Sequence, residues 1–433
     1  MEISSIVIAT LLGTALGGLL FCIPGVGAVG IAAILLTRFG SAPWLLSDPE
    51  LLLVFFAALA VSNAFASIIP AFFFGAPQPS TIFLVVPGER CRREGRSLRS
   101  ALDAGRGCLA GIILLAGLSP FFLYLFAPLQ GLIFSHFRWA AALLVLYMLG
   151  SEAVGHLRRE DYQALWMAPL IFILAGFFGV LLLHSRLFPR FIGGGTLYAA
   201  LIGLFLIPPL VRRMLEPIGE PPKQETGGKL PRERRPPLLG IAAGGIGGLL
   251  AFLFPGISAG PGALVAGHLI PRKRERAFLF SQGMVQSLVS AGAFLLFFLP
   301  ERAFIRSGLA RAISPYHHSS RHLNSFILIV AVILIAGGLS YLLFHLTARL
   351  GRSLSREVSP RVLSAAIIFF VLGLVCFRYG PAQLPVLLTW ACIGSLPLVF
   401  GCRRSNLFAY TLLPYLIYLP GWHVPLAAFL GLR

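Results

Sequence analysis

Charge is scarce in this chain: 12% of its 433 residues are Asp, Glu, Lys or Arg, where a soluble domain carries about a quarter. Acids are the rarer sign, 16 against 35 Lys and Arg, and no two of them share one face of an apolar stretch. That shortage excludes general acid–base chemistry by paired carboxylates. No His-Glu-x-x-His occurs, and no Gly-rich loop closes on Gly-Lys-Ser or Gly-Lys-Thr, which excludes zincin and P-loop chemistry. The six cysteines, Cys22, Cys91, Cys108, Cys376, Cys392 and Cys402, form no Cys-x-x-Cys pair and no Cys/His ligand spacing. They read as small apolar residues, with neither a disulfide framework nor a structural metal expected. The opening Met1-Glu2-Ile3-Ser4-Ser5 has no positive n-region, and the apolar stretch behind it runs into Pro-Gly without a cleavage site, so it is expected to stay in the mature protein. No enzyme and no cofactor are expected.

What is present in quantity is hydrocarbon. Residues of the set AVILMFWYC make up 57% of the chain, in runs long enough to cross a bilayer, such as 51–74 and 326–346. The net charge of +19 falls in short arginine-rich loops. In a soluble protein it would suggest nucleic acid, but no aromatic–basic interleaving accompanies it. It reads instead as cytoplasmic loops held by the positive-inside rule beside anionic lipid. The lipid bilayer is the expected surrounding, and a cytoplasmic (inner) cell membrane, crossed many times, the expected location.

One signature occurs twice. Gly13 and Gly17 are followed after six residues by Pro24-Gly25-Val26-Gly27-Ala28, and Gly244 and Gly248 after six by Pro255-Gly256-Ile257-Ser258-Ala259. Proline lacks the donor and glycine favours positive φ, so a helix cannot continue through either pair. Backbone groups freed at membrane depth are tolerated only where they line a cavity or bind something. Paired interruptions at corresponding places in two halves are the sequence pointer to a secondary transporter's binding site.

The boundary between the halves is the Pro-rich basic stretch 212–237, read as a cytoplasmic linker between a membrane repeat at 1–211 and another at 238–433. Each half starts with its Pro-Gly segment and continues with about five apolar spans. These are placed at 51–74, 104–126, 139–154, 164–183 and 194–211, then at 277–299, 326–346, 362–377, 384–400 and 407–430. The fold expected is therefore all-α and polytopic, with two inverted-topology repeats. If the basic loops at Arg90–Arg99, in the linker and at Arg272–Arg276 are all cytoplasmic, the second Pro-Gly segment must enter and leave on one side as a re-entrant hairpin. One loop, with Arg302, Arg306, Arg311 and Arg321, disagrees by falling outside. A broken helix that crosses the membrane stays open as the alternative.

The polar residues expected at membrane depth are uncharged. Ser62, Asn63 and Ser67 follow the first Pro-Gly segment, and Ser281, Gln282 and Gln286 follow the second with the same spacing. Helix–helix hydrogen bonding explains such residues about as often as function does. Gly75-Ala76-Pro77-Gln78-Pro79-Ser80-Thr81 adds a third interruption. With so few acids, a bound anion would be held by backbone N–H groups, helix N-termini, hydroxyls and amides. Glu152 and His156, four apart at the end of a span, read as an interfacial helix-end pair sooner than as a proton relay. His317, His318 and His322 read as a solvated loop.

On these residues the chain resembles the large membrane subunit of the tripartite tricarboxylate transporters. The likeness is carried by the Gly-x-x-x-Gly approach to Pro24-Gly25-Val26-Gly27-Ala28, by its copy at Pro255-Gly256-Ile257-Ser258-Ala259, and by Ser62-Asn63 leading to Pro70 and Gly75-Ala76-Pro77. Val86-Pro87-Gly88-Glu89-Arg90 with Glu94-Gly95-Arg96 is similar to a loop of the shorter archaeal and bacterial branch. The resemblance implies a secondary transporter for citrate-like carboxylates, driven by an ion gradient, with a small membrane subunit and a periplasmic binding protein as partners; Na⁺ or H⁺ is the coupling ion expected, and a homodimer a further expected partner. It points to Pro24, Gly25, Gly27, Asn63, Pro255, Gly256 and Ser258. The asparagine-rich stretch of such members is reduced here to Asn63 and Gln282. Taken together, the expectation is a permease for a small organic anion. Its substrate-binding set is Pro24, Gly25, Gly27, Ser62, Asn63, Ser67, Pro255, Gly256, Ser258, Ser281, Gln282 and Gln286. A flippase for an anionic lipid carrier such as a polyprenyl phosphate is the second reading, and a membrane scaffold without substrate the third.

Overall fold

In the computed structural model, the residues described are 2–25, 27–28, 30–32, 35, 48–184, 195–215, 237–254, 257–299, 308–313 and 323–418. Their regular structure is helical, the outcome that hydrocarbon imposes on a chain whose peptide groups must all bond internally. The first half carries α1 (Ile3–Leu19), α2 (Pro49–Ala66), α3 (Val85–Arg93), α4 (Ser97–Phe121), α5 (Ala127–Leu157), α6 (Tyr162–His184), α7 (Gly195–Leu201) and α8 (Ile207–Leu215). The second carries α9 (Leu238–Leu253), α10 (Ala259–His268), α11 (Glu275–Leu295), α12 (Gly308–Ile313), α13 (Leu323–Glu357), α14 (Pro360–Tyr379), α15 (Gln383–Val399) and α16 (Ala409–Tyr418). Among the described residues nine helices are long and apolar enough to cross a membrane, and α9 and α15 are shorter apolar helices. The chain is an all-α polytopic membrane protein. Most of the linker, the Arg302–Arg306 and Arg321 positions, the three loop histidines, Pro255 and Gly256 lie outside the described residues.

Two compact units divide the chain, Met1–Leu129 with Arg213–Ile367, and Gln130–Arg212 with Ile368–Arg433. Each takes segments from both halves of the sequence.

In the first unit glycine decides how close the helices come. Gly13 of α1 lies on the Phe55 carbonyl and Gly17 on the Leu59 carbonyl, so α1 and α2 run parallel with their backbones touching, the use that small-xxx-small spacing has in membranes. In the second half Gly240 faces Ala277, Gly244 faces Ser281 and Gly248 faces Leu288, so α9 and α11 are parallel as well. Gly107 and Gly111 of α4 meet Phe280 and then Met284 and Ser287, making α4 parallel to α11. Glu50 accepts the Ser325 hydroxyl, the Phe65 and Phe344 rings stand 6.1 Å apart, and Gly351 lies on Ile69; these contacts make α2 and α13 parallel. Gly105 against Phe344 and Gly337 against Ile112 make α4 and α13 antiparallel.

These directions combine to one result: the pair α1/α2 runs opposite to the pair α9/α11. The packing partners exchange in the same way, α2 with α13 and α11 with α4. An inverted duplication has this geometry. Helix α2, buried along its length from Leu51, forms the centre of the unit, which is why its sequence is apolar all round.

Charges collect at the α3–α4 and α10–α11 connections. Asp103, 5% exposed, accepts from Arg106 at 2.6 Å and from Arg276 at 3.4 Å. Glu275 accepts from Arg96 at 3.1 Å and from the Cys91 thiol at 3.2 Å. Burial foremost, with Glu275 adding, pushes that thiol up to about 12, so it serves as a neutral donor. Burial alone would raise the Glu89 carboxyl, but Arg92, Arg213 and Arg93 together hold it below its ordinary value. Asp103 joins an arginine from each half, and Asp103→Ala is expected to cost about 1.5–3 kcal/mol. Thermal unfolding in detergent would register this as a fall in midpoint, and an unchanged midpoint would remove Asp103 from the fold's supports.

In the second unit, Gly176 and Gly179 of α6 receive Leu413 and the Tyr410 carbonyl of α16. A π turn at Ile202–Leu206 meets α15 through Gly203 and Gly394. Wide π turns free carbonyls from the helix ladder. Here Phe205 O takes the Arg404 guanidinium at 2.6 Å. A π turn in the first unit, Pro70–Phe74, is served likewise, with Phe73 O accepting from Arg213 at 3.3 and 3.4 Å.

Candidate functional site

The two Pro-Gly breaks end one helix and begin another. After α1 the chain makes a tight turn at Leu20–Cys22, and Gly25 takes φ +90°, a conformation that favours glycine. Helix resumes at Ala28, with Gly27 O accepting the Gly30 and Ile31 N–H groups at 2.9 and 3.2 Å. After α9, Phe254 is extended, and Ser258 is the N-cap of α10 at φ −80°, ψ 174°. Gly27 and Ser258 each stand three residues beyond their proline, and both cap a new helix. The first turn of α10 is Ala259, Gly260, Pro261 and Gly262, which covers its N–H groups with almost no side chain. The partial positive charge of a helix N-terminus stands at this turn, whose four residues are buried.

Helix α10 folds back on α9. Gly262 meets Gly247 and Ala251, while Gly247 meets Ala266, so the two are antiparallel. Ala243, Ile270 and Ala277 form one cluster with Leu239 and Phe278, which places both ends of this helical hairpin beside the start of α11. Gln282 holds the hairpin there, its Nε2 donating to Ala263 O at 3.0 Å.

The six polar residues after the breaks are all buried, and their roles separate by partner. Ser281 donates to Phe278 O at 2.8 Å, and with Gln282 it is engaged in local structure. Gln286 Nε2 donates to Ser67 Oγ at 3.2 Å, while Ser67 itself donates to Ala64 O at 3.1 Å. Ser67 and Gln286 hold matched positions in the two halves, so this bond joins equivalent points of the inverted helices. Ser62 Oγ, Asn63 Oδ1, Ser258 Oγ and Gln286 Oε1 have no hydrogen-bond partner among the described residues, although burying such atoms unpaired is costly.

The third interruption links the two breaks. Gly75 sits at φ +66° behind the π turn, and Gln78 and Thr81 close a capping box, with Gln78 N–H donating to Thr81 Oγ1 at 3.0 Å. A Cβ on Gly27 would lie 3.5 Å from Gln78 Oε1, so the first break rests against this turn. Phe83, within the turn Pro79–Leu84, packs on the cluster made by Ala259, Ala263 and Ala266 of α10 with Val285 of α11. Gly27 of the first break and the returning helix α10 thus touch one short element. Gln78 is absent from the set expected from sequence, and the signal that would have placed it there is the Pro77-Gln78-Pro79 triplet, irregular backbone inside an apolar stretch.

Gly256-Ile257-Ser258-Ala259-Gly260 has the lettering of a hydrolase nucleophile elbow. The elbow needs a strand before its serine and a base beside it. Helix α9 precedes Ser258 here, and no described residue bonds its hydroxyl. Glu152 and His156, read from sequence as an interfacial helix-end pair, stand at the end of α5 3.4 Å apart, and both are buried, 1% and 6% exposed.

Among families, the description that matches is the tripartite tricarboxylate transporter TctA family, over residues 5–408. No curated protein and no solved structure matches the chain.

Proposed function

Because this chain belongs to the tripartite tricarboxylate transporter TctA family, we propose that it carries a small organic anion, a di- or tricarboxylate, across the cytoplasmic membrane with the first unit as its binding unit. The transporter role follows from the family; the site is read from the residues. Anion binding rests on the helix N-termini at Ala28 and Ala259 and on the donors of Ser62, Asn63, Ser258 and Gln78. Interactions of this kind suit carboxylates because a helix N-terminus offers unpaired N–H groups and partial positive charge. The observation that supports the reading is that Gly27 of the first break and α10 after the second both lie against the Gln78–Leu84 turn.

Unpaired oxygens at Ser62, Asn63 and Gln286 are acceptors, which suits a coupling Na⁺ or a proton carried on the substrate. Opposed helix pairs related by inversion offer two equivalent arrangements, one open to each side, and exchange between them is alternating access. In this reading the two halves of the sequence are the repeats, and each Pro-Gly hairpin re-enters the membrane. A small membrane subunit and a binding protein complete the assembly, as the family's tripartite description implies.

Uptake of citrate and succinate into proteoliposomes, under an imposed Na⁺ or H⁺ gradient and with the partner subunits present, tests this directly. Ser258→Phe is expected to lower the initial rate at least about tenfold, the loss of one hydrogen bond to a charged ligand, while gel-filtration behaviour stays that of the parent. Full uptake by the variant would sink the site assignment. Gradient-independent movement of a lipid phosphate, with no carboxylate uptake by the parent protein, would replace the substrate class.

A further inference from the structure

The second unit contains a cluster that the transport reading does not use. Glu152 and His156, near the end of α5, and Cys402, in the turn after α15, place a carboxylate oxygen, an imidazole nitrogen and a sulfur within 4.8 Å of one another. All three residues are buried, 1%, 6% and 8% exposed. We propose that Glu152, His156 and Cys402 form a binding site for a divalent transition metal of the zinc class.

The nitrogen and a carboxylate oxygen already stand at ligand spacing, and the sulfur lies within 4.8 Å of both. His156 Nε2 lies 3.4 Å from Glu152 Oε1, close to the edge of about 3.3 Å that two ligands make on a tetrahedral metal with bonds of about 2.0–2.1 Å. Glu152 is held by one oxygen, since Oε1 accepts the Arg403 backbone N–H at 2.6 Å. Its second oxygen, Oε2, is buried without a partner among the described residues, although a buried carboxylate oxygen is one of the costliest atoms to leave unbonded. The Cys402 thiol has only long contacts, 3.6 Å to Ala164 O and 3.8 Å to Phe400 O, which a metal bond would replace. Beyond the ligands, His156 Nδ1 has no hydrogen-bond partner among the described residues, and the nearest carboxylate, Asp161 Oδ2 at 3.7 Å, is placed to close on it and orient the ring when a metal takes Nε2. Asp161 is 45% exposed in its side chain and offers the ion a route from water.

Ligand chemistry selects the ion. An O, N and S donor set disfavours Mg²⁺ and Ca²⁺, which want oxygens, and suits Zn²⁺, Co²⁺ or Ni²⁺. As the metal–sulfur bond forms, the thiol proton leaves to water, and the thiolate with the Glu152 carboxylate balances the two positive charges. The buried site is then neutral. Its fourth position, unfilled by these three residues, takes water or an exogenous ligand. Such an ion would tie the end of α5 to the Gly401–Arg403 turn.

The test uses the full-length protein, purified in detergent and stripped with a chelator, titrated with Co²⁺ and with Zn²⁺. One Co²⁺ per chain is expected, with a sulfur-to-cobalt charge-transfer band in the near ultraviolet that Cys402→Ser abolishes. His156→Ala is expected to weaken binding at least about tenfold. Zn²⁺, but not Mg²⁺, should raise the unfolding temperature of the parent protein and leave that of Glu152→Gln unmoved. Absence of saturable Co²⁺ binding by the parent protein would overturn the site, a measurement that needs no variant to fold. Persistence of the charge-transfer band in Cys402→Ser would assign the sulfur to another cysteine and overturn it equally.

Discussion

Gly107→Leu leaves no folded protein. A side chain there would enter the Phe280 carbonyl of α11, while on the facing helix Gly283 stands against the Ala104 carbonyl. The obstruction on both sides is backbone, so no rotamer change relieves it and the helices must separate. Separation strips the buried contacts of α11 from Leu279 to Leu288 and breaks the parallel pairing of α4 with α11, which joins the two halves of the sequence. A cost above about 3 kcal/mol is expected, the upper end of overpacking penalties and a large fraction of a domain's stability. Detergent extraction followed by gel filtration should yield aggregate in place of the monodisperse peak. Gly117→Leu is the control on the same helix, since no described atom lies within 4 Å of a Cβ there. A monodisperse Gly107→Leu protein with the parent's unfolding temperature would show that α4 and α11 do not meet through their backbones.

Asn63→Leu should separate stability from transport. Asn63 is 8% exposed, and its Oδ1 has no partner among the described residues. Replacing a buried polar group that lacks a partner by an apolar one of similar size is neutral or stabilising, so the unfolding temperature should hold or rise. If the amide meets the transported anion or its coupling ion, removing it loses a charge-assisted hydrogen bond of about 1.5–3 kcal/mol, a fall in uptake of about ten- to a hundredfold. Initial rates in proteoliposomes and thermal unfolding, measured on the same preparation, give both readings. Parent-like uptake by a stable Asn63→Leu protein would take Asn63 out of the site; loss of both together would make it a structural residue.

Much of the helical framework was legible in the sequence because hydrocarbon leaves few options. Apolar runs bounded by arginine become helices, and the observed Pro49–Phe74 and Glu275–Phe298 spans follow the expected 51–74 and 277–299 closely. The Pro-Gly breaks were equally legible, since they depend on what proline and glycine do to their own backbone. The equal spacing of Ser62, Asn63, Ser67 and Ser281, Gln282, Gln286 could be read as well, but not which of them are engaged. Gln282 spends its amide on Ala263 O and Gln286 on Ser67, contacts fixed by how α10 and α11 pack. Gln78 was legible as part of the third interruption but not as a site residue, because its importance comes from its neighbour Gly27, far away in the chain.

The sequence by itself determined what is local: where helices must form, where proline and glycine must break them, and that few acids are available to meet a ligand. Each of these follows from one residue's backbone or solvation and needs no partner. Tertiary structure alone decided the directions of the helices, the approach of Gly27 and of α10 to one short turn, and the meeting of Cys402 with Glu152 and His156. Those depend on which glycine faces receive which backbone, a choice made between helices whose apolar surfaces, in lipid, all look alike.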